Sequence, residues 1–231
     1  VVGNFTGDMR TVAVAAVGAN SPVIGLLLNL FIGIALGANV VIANAIGRGD
    51  RETVHRAVHT SIVTALIGGV LVAVFGQLIA AGLMGLLNVP DDVYPLALAY
   101  LRIYLLGMPV ILLYNFEAAI FRSVGDTKMP LAALTVSGVL NVILNLFFVI
   151  VCKLDVAGVA LASTIAQCVS AGLILHALTK VSDCYALGFR KVRLDLNMTK
   201  RILMLGVPAG LQNAIFAIAN LFIQAGVNSF D

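Results

Sequence analysis

Ser137, Asn141 and Asn145 recur every fourth residue inside a run with no formally charged side chain between Lys128 and Lys153. Residues four apart share one helix face, so the run predicts a polar stripe on an otherwise apolar rod. In an apolar medium such a stripe has two uses. Its amides and hydroxyls can bond to neighbouring helices, contributing about 1 kcal/mol per pair, or turn oxygen acceptors toward a ligand. Asn115, Ser163, Thr164, Gln167 and Gln212 fall in other apolar runs and are open to the same two readings. Ser163 and Gln167 are again one turn apart, as are Asn220 and Gln224.

Glu117 is the one carboxylate placed inside an apolar run. A charge there costs about 2.5–3.5 kcal/mol at mid-bilayer and less near the edge. Pairing with Arg122 or snorkelling to the interface is one reading, and a proton or cation site is the other. His55 and His59 have the spacing of two metal ligands on one helix face, but no third ligand accompanies them, so no metal site is expected. An intramembrane enzyme needs a nucleophile with its base, or a cluster of His and carboxylates, within such runs. The sequence offers neither. Gly125-Asp126-Thr127-Lys128 lacks the Gly-Lys-Ser/Thr ending of a phosphate loop, so no nucleotide cofactor is expected.

The elements that must position these residues are membrane helices. Hydrophobic residues make up 61% of the chain and charged ones 11%, where a soluble domain carries roughly 25% charged. Mean hydropathy is +1.06, so most of the surface must face lipid. A span needs about 20 apolar residues, which predicts six spans at about 22–46, 57–87, 96–121, 130–151, 156–179 and 202–230. A stub at 1–7 reads as the tail of an earlier helix. The runs lack the apolar–polar alternation of a barrel, and Pro109 and Pro208 inside spans are expected to kink them. The net charge of +3 comes without a basic stripe interleaved with aromatics, which argues against nucleic acid. The three cysteines are widely spaced and odd in number, which gives no disulfide framework. The chain opens at Val1 and closes at Asp231, both in apolar sequence, so both ends read as cut, and no cleavable signal is expected.

Charge sets the orientation. The loops at 47–56, 122–129 and 180–201 hold 11 of the 14 Lys and Arg residues, all on alternate loops. By the positive-inside rule these three loops are cytoplasmic. The longest, 180–201, suits a connector between two bundles, either lying on the anionic inner leaflet or solvated.

Four motifs then become specific. They are Gly33–Val41 (GIALGANVV) running on to Gly47-Arg48-Gly49-Asp50, Phe121–Pro130 (FRSVGDTKMP), Val156–Thr164 (VAGVALAST), and Gly206–Gln212 (GVPAGLQ). Together they resemble the multidrug and toxic compound extrusion (MATE) family, DinF/NorM-like members of bacteria included, with FRSVGDTKMP the most discriminating piece. Locally, Gly125 suits a backbone reversal, Asp126 or Thr127 a helix cap, and Pro130 a first turn.

The resemblance implies an all-α integral membrane fold of two parallel six-helix lobes. Residues 1–195 would form the first lobe, with the helix 1 tail, helices 2–6 and a cytoplasmic linker, and 196–231 would start the second with helix 7. It implies a secondary active antiporter of the bacterial inner membrane, functional as a monomer, exporting organic cations in exchange for Na⁺ or H⁺. A lipid-linked oligosaccharide or polysaccharide flippase of related architecture is the alternative, disfavoured because only Arg102 among basic residues lies within a span. Archaeal and DinF-like members use an Asn and an Asp four apart on helix 5. Asn141 matches the first and Asn145 the second, so an amide that cannot titrate stands where those relatives carry a carboxylate. The family's acidic residue on helix 1 would fall before Val1.

Overall fold

A computed structural model of the chain describes residues 10–87, 89–188 and 193–228; the stub at 1–7 lies outside them. The described residues form helices α1 (Arg10–Gly47), α2 (Arg51–Leu86), α3 (Tyr94–Leu106), α4 (Met108–Ser123), α5 (Lys128–Leu146), α6 (Asp155–Lys180) and α7 (Leu196–Asn228), with a π turn over Phe147–Val151 extending α5. Five helical segments are long and apolar enough to cross a membrane, and α3 with α4, bent by 48° at one break, makes a sixth. The all-α membrane fold follows.

Exposed apolar faces mark the lipid surface. Val70, Val74, Phe75 and Leu78 on α2 and Leu131, Val139, Val142 and Ile143 on α5 are all more than half exposed. On α5 the buried residues are Pro130, Ala133, Ser137 and Asn145, so its polar stripe faces inward while Leu131, Val139, Val142 and Ile143 face out. That polarity suits lipid and would aggregate in water.

Three spans differ from the sequence expectation. The first helix begins at Arg10 rather than near residue 22, because its polar residues bond within the helix or to a neighbour. Asn20 Nδ2 donates to Ala16 O (2.8 Å) and to Ala97 O (2.9 Å), and Ser21 Oγ donates to Val17 O. The third span breaks at Gly107, where Pro109 supplies no amide hydrogen to the preceding turn. The last helix starts at Leu196, which returns residues 196–201 from the expected loop to α7. Asp195 is the reason: its Oδ1 accepts the N–H groups of Asn197 and Met198, an N-cap that satisfies the orphan donors.

The chain divides into two compact units. Val1–Ser21, Ala65–Tyr114 and Lys128–Ile174 form one; Pro22–Thr64, Asn115–Thr127 and Leu175–Asp231 form the other. The basic loops 47–56 and 180–201 belong to the second, and the loop 122–129 passes from the second to the first at Lys128. Within the first unit, a Cβ on Gly69 would sit 2.3 Å from Pro109 Cα, so α2 meets the α4 backbone directly. Within the second, α1 and α7 meet through paired glycines: Gly33 faces Gly210, and Gly37 faces Gly206. Asn39 Nδ2 donates to Ala119 O (3.3 Å) and holds α1 to α4. Gly125 takes φ +81° in the turn after α4, the conformation that favours glycine there.

Asp195 also receives Arg56 of α2 through Nε (3.1 Å) and Nη2. The guanidinium and the capped amides hold its carboxyl below the ordinary 3.8. The sign follows from linkage. A carboxylate whose folded value is depressed contributes stability present above the unfolded value and lost as pH falls through the folded one. The tie between α2 and α7 should therefore loosen in acid below 3.8. Spin labels on the two helices should report that loosening in the wild type, and Asp195→Asn should show it already at neutral pH.

Candidate functional site

The inward stripe of α5 opens on a cavity of about 280 Å³ within the first unit. Tyr104 of α3, Ile111 of α4, Ser137, Gly138 and Asn141 of α5, and Ser163, Thr164 and Gln167 of α6 line it. The hydrogen bonds run in one direction. Asn145 Nδ2 donates to Asn141 Oδ1 (2.9 Å), and Asn141 Nδ2 donates to Ser163 Oγ (3.2 Å). One amide chain thus clamps α5 to α6.

What remains is rich in acceptors. Ser137 Oγ donates to Leu134 O and Thr164 Oγ1 to Ala160 O, both at 3.0 Å, so their hydroxyl protons are spent on the helix backbone and their oxygens face outward as lone pairs. Asn145 Oδ1 and Gln167 Oε1 are buried with no hydrogen-bond partner. Buried amide oxygens without donors are uncommon in folded proteins. No charged side chain is among the described residues that line the cavity. Uncharged oxygens converging in an apolar setting suit a cation or a ligand that donates hydrogen bonds.

Gly107 keeps the helix break close to this site. A Cβ there would lie 3.0 Å from Thr164 Oγ1 and 3.1 Å from its Cγ2. Tyr104 was not legible as a lining residue; the only signal is its position four after Tyr100, whose ring lies 6.4 Å away.

The sequence candidates separate. Asn141, Ser163, Thr164 and Gln167 line one cavity, and Asn145 bonds to Asn141 from one turn along α5. Asn115, Glu117 and Gln212 belong to the other unit, where Asn115 is half-buried on α4 and Gln212 exposed on α7. Glu117 neither pairs with Arg122 nor snorkels: it is 0% exposed, and neither carboxyl oxygen has a hydrogen-bond partner. Its neighbours on the same α4 turn, Phe116, Ala118 and Ala119, are buried with it. His59 spends both ring nitrogens on backbone, Nδ1 on His55 O (2.7 Å) and Nε2 accepting from Gly188 N (3.1 Å). The histidine pair is thus a structural tie, and the described residues hold no group of three metal-ligating side chains.

Comparison with known proteins agrees with this architecture. The chain is 30% identical over 227 residues to the probable multidrug resistance protein YoeA of Bacillus subtilis, covering 94% of this chain and 49% of that protein. The probable multidrug resistance protein NorM of Thermotoga maritima is 26% identical, with 98% and 50% covered. A multidrug resistance MATE family transporter of the MOP superfamily, solved in an inward-facing conformation, superposes with a TM-score of 0.82 at 27% identity over 90% of this chain and 48% of that one. The chain spans about half the length of the curated relatives it matches. The MatE family model matches residues 1–147, and with the helices and lipid-facing surface described above it follows that the chain belongs to the MatE family of multi-pass membrane transporters, which are not enzymes.

Proposed function

We propose that the whole protein is a secondary active multidrug efflux antiporter of the bacterial inner membrane, exporting organic cations in exchange for inward Na⁺ or H⁺. In this reading residues 1–195 belong to the first six-helix lobe and 196–231 open the second. The two lobes rock about a central cavity as a monomer, with loops 47–56, 122–129 and 180–201 in the cytoplasm. The observation that carries it is the uncharged, acceptor-rich cavity of α3–α6. Oxygens from Ser137, Asn141, Ser163, Thr164 and Gln167 suit a hard cation such as Na⁺, and the Tyr104 ring offers an organic cation an aromatic face. The lining lacks basic groups, which speaks against a lipid-linked oligosaccharide phosphate as cargo. Glu117 is the second element. A buried carboxyl without partners is the natural carrier of a proton where H⁺ is the coupling ion.

Proteoliposomes containing the whole protein and loaded with a fluorescent organic cation test this. Efflux should accelerate under an imposed Na⁺ or H⁺ gradient, and Glu117→Gln, which keeps the shape of the neutral acid, should remove the H⁺-driven component. Unchanged H⁺-driven efflux in Glu117→Gln would take that residue out of coupling. Indifference to both gradients, across several cations, would overturn the antiport reading.

A further inference from the structure

The second unit contains a larger cavity, about 710 Å³, that the transport reading does not use. Arg56 and Thr60 of α2 form one wall; Arg193, Leu194, Asp195 and Leu196, leading into α7, form the other. The charges on these walls do not cancel. Asp195 is engaged twice, by Arg56 on Oδ2 and by the α7 amides on Oδ1. Arg193 is exposed and has no ion pair among the described residues, so two guanidiniums face one committed carboxylate.

Thr60 supplies an independent sign of a ligand. The residue lines the cavity and is only 1% exposed, and its Oγ1, buried behind the wall, has no hydrogen-bond partner. Thr135 and Thr164 show the usual resolution in this protein, donating to the carbonyl one turn back. A buried hydroxyl left over is costly, and an oxyanion in the cavity would accept its proton.

The rim is apolar. Leu194 is 41% and Leu196 73% exposed, immediately beside the arginines. An aqueous loop gains nothing from displaying leucines there, whereas an amphiphile uses both surfaces. The basic loops face the leaflet that carries anionic phospholipids. We propose that this cavity binds an anionic phospholipid of the inner leaflet, its phosphate held by Arg56, Arg193 and the Thr60 hydroxyl and its acyl chains lying over Leu194 and Leu196. Because its walls are α2 and the start of α7, a bound lipid reinforces the Arg56–Asp195 tie.

The sidedness rests on the orientation in the proposed function, but lipid retention in detergent does not depend on it, so the two ideas fail separately. Native mass spectrometry of the whole purified protein, titrated with phosphatidylglycerol, phosphatidylcholine, glycerol 3-phosphate and inorganic phosphate, decides. Phosphatidylglycerol should be retained over phosphatidylcholine, and Thr60→Val with Arg193→Gln should weaken it about tenfold, the effect of losing a charge-assisted contact. Leu196→Ser should weaken the lipid while leaving the fold intact, and it decides the matter alongside the wild-type headgroup comparison if the double variant is unstable. Equal retention of the two lipids, or a phosphatidylglycerol preference untouched by the variants, overturns the site. Displacement of the lipid by glycerol 3-phosphate or phosphate at equal concentration overturns the lipid and assigns a soluble anion.

Discussion

Gly37→Ala should lower the thermal midpoint of the whole protein sharply, while Gly172→Ala leaves it unchanged or raises it. The two residues differ in what a methyl group would meet. A Cβ on Gly37 would lie 2.1 Å from Ile202 O and 2.6 Å from Gly206 N, and one on Gly206 would lie 2.3 Å from Ile34 O. These are backbone atoms, so no rotamer change relieves the clash. The helices must separate, and contacts along the α1–α7 seam are lost together. Overpacking costs about 1–3 kcal/mol, and a contact with backbone belongs at the upper end. Gly172 has nothing within 4 Å of its built Cβ, so alanine there adds only helix propensity, about 1 kcal/mol. Close approach of small residues substitutes for the hydrophobic effect that lipid does not supply between helices. A Gly37→Ala protein that melts like the wild type would show that the seam is not as tight as its geometry states.

Asn141→Leu should cost more function than any other single change in the α3–α6 cavity. The side chain is the middle link of a three-residue chain, accepting from Asn145 and donating to Ser163. Leucine has a similar volume but removes both bonds at once, and Asn145, whose Oδ1 already lacks a partner, loses its last one. Loss of one liganding oxygen costs about 1–3 kcal/mol of binding, so under the proposed antiport the apparent affinity for an organic cation should fall about 10- to 100-fold. Efflux by the reconstituted whole protein, fitted for KM and kcat separately, checks it. A mere packing role predicts loss of thermal stability with KM unchanged. Asn145→Asp makes a complementary test. It puts an ionisable group at the position to which the family resemblance assigns an Asp, and efflux by the proposed antiporter should acquire a pH dependence tied to that residue.

Local chemistry accounts for what was legible in the residues alone. Composition states the solvent and the gaps between charges place most of the spans, while alternation of Lys and Arg predicts a sidedness, because each depends on nearest neighbours and on water or lipid. The stripe Ser137–Asn141–Asn145 was readable for the same reason, since helical geometry puts those positions on one face whatever surrounds them. A spacing names a face, however, and not what the face meets. Only the tertiary structure places Ser163, Thr164 and Gln167 opposite Asn141 and sets Gln212 on an exposed surface. It alone withdraws Glu117 from Arg122, five residues along the same chain, into full burial. It likewise moves the start of α1 back to Arg10, because the second acceptor for the Asn20 amide is Ala97 O, on a helix far away in sequence. In lipid the polar groups of a helix must find their partners on other helices, and which helix arrives is decided by packing: here by glycines at Gly33, Gly37, Gly206 and Gly210, where backbone meets backbone.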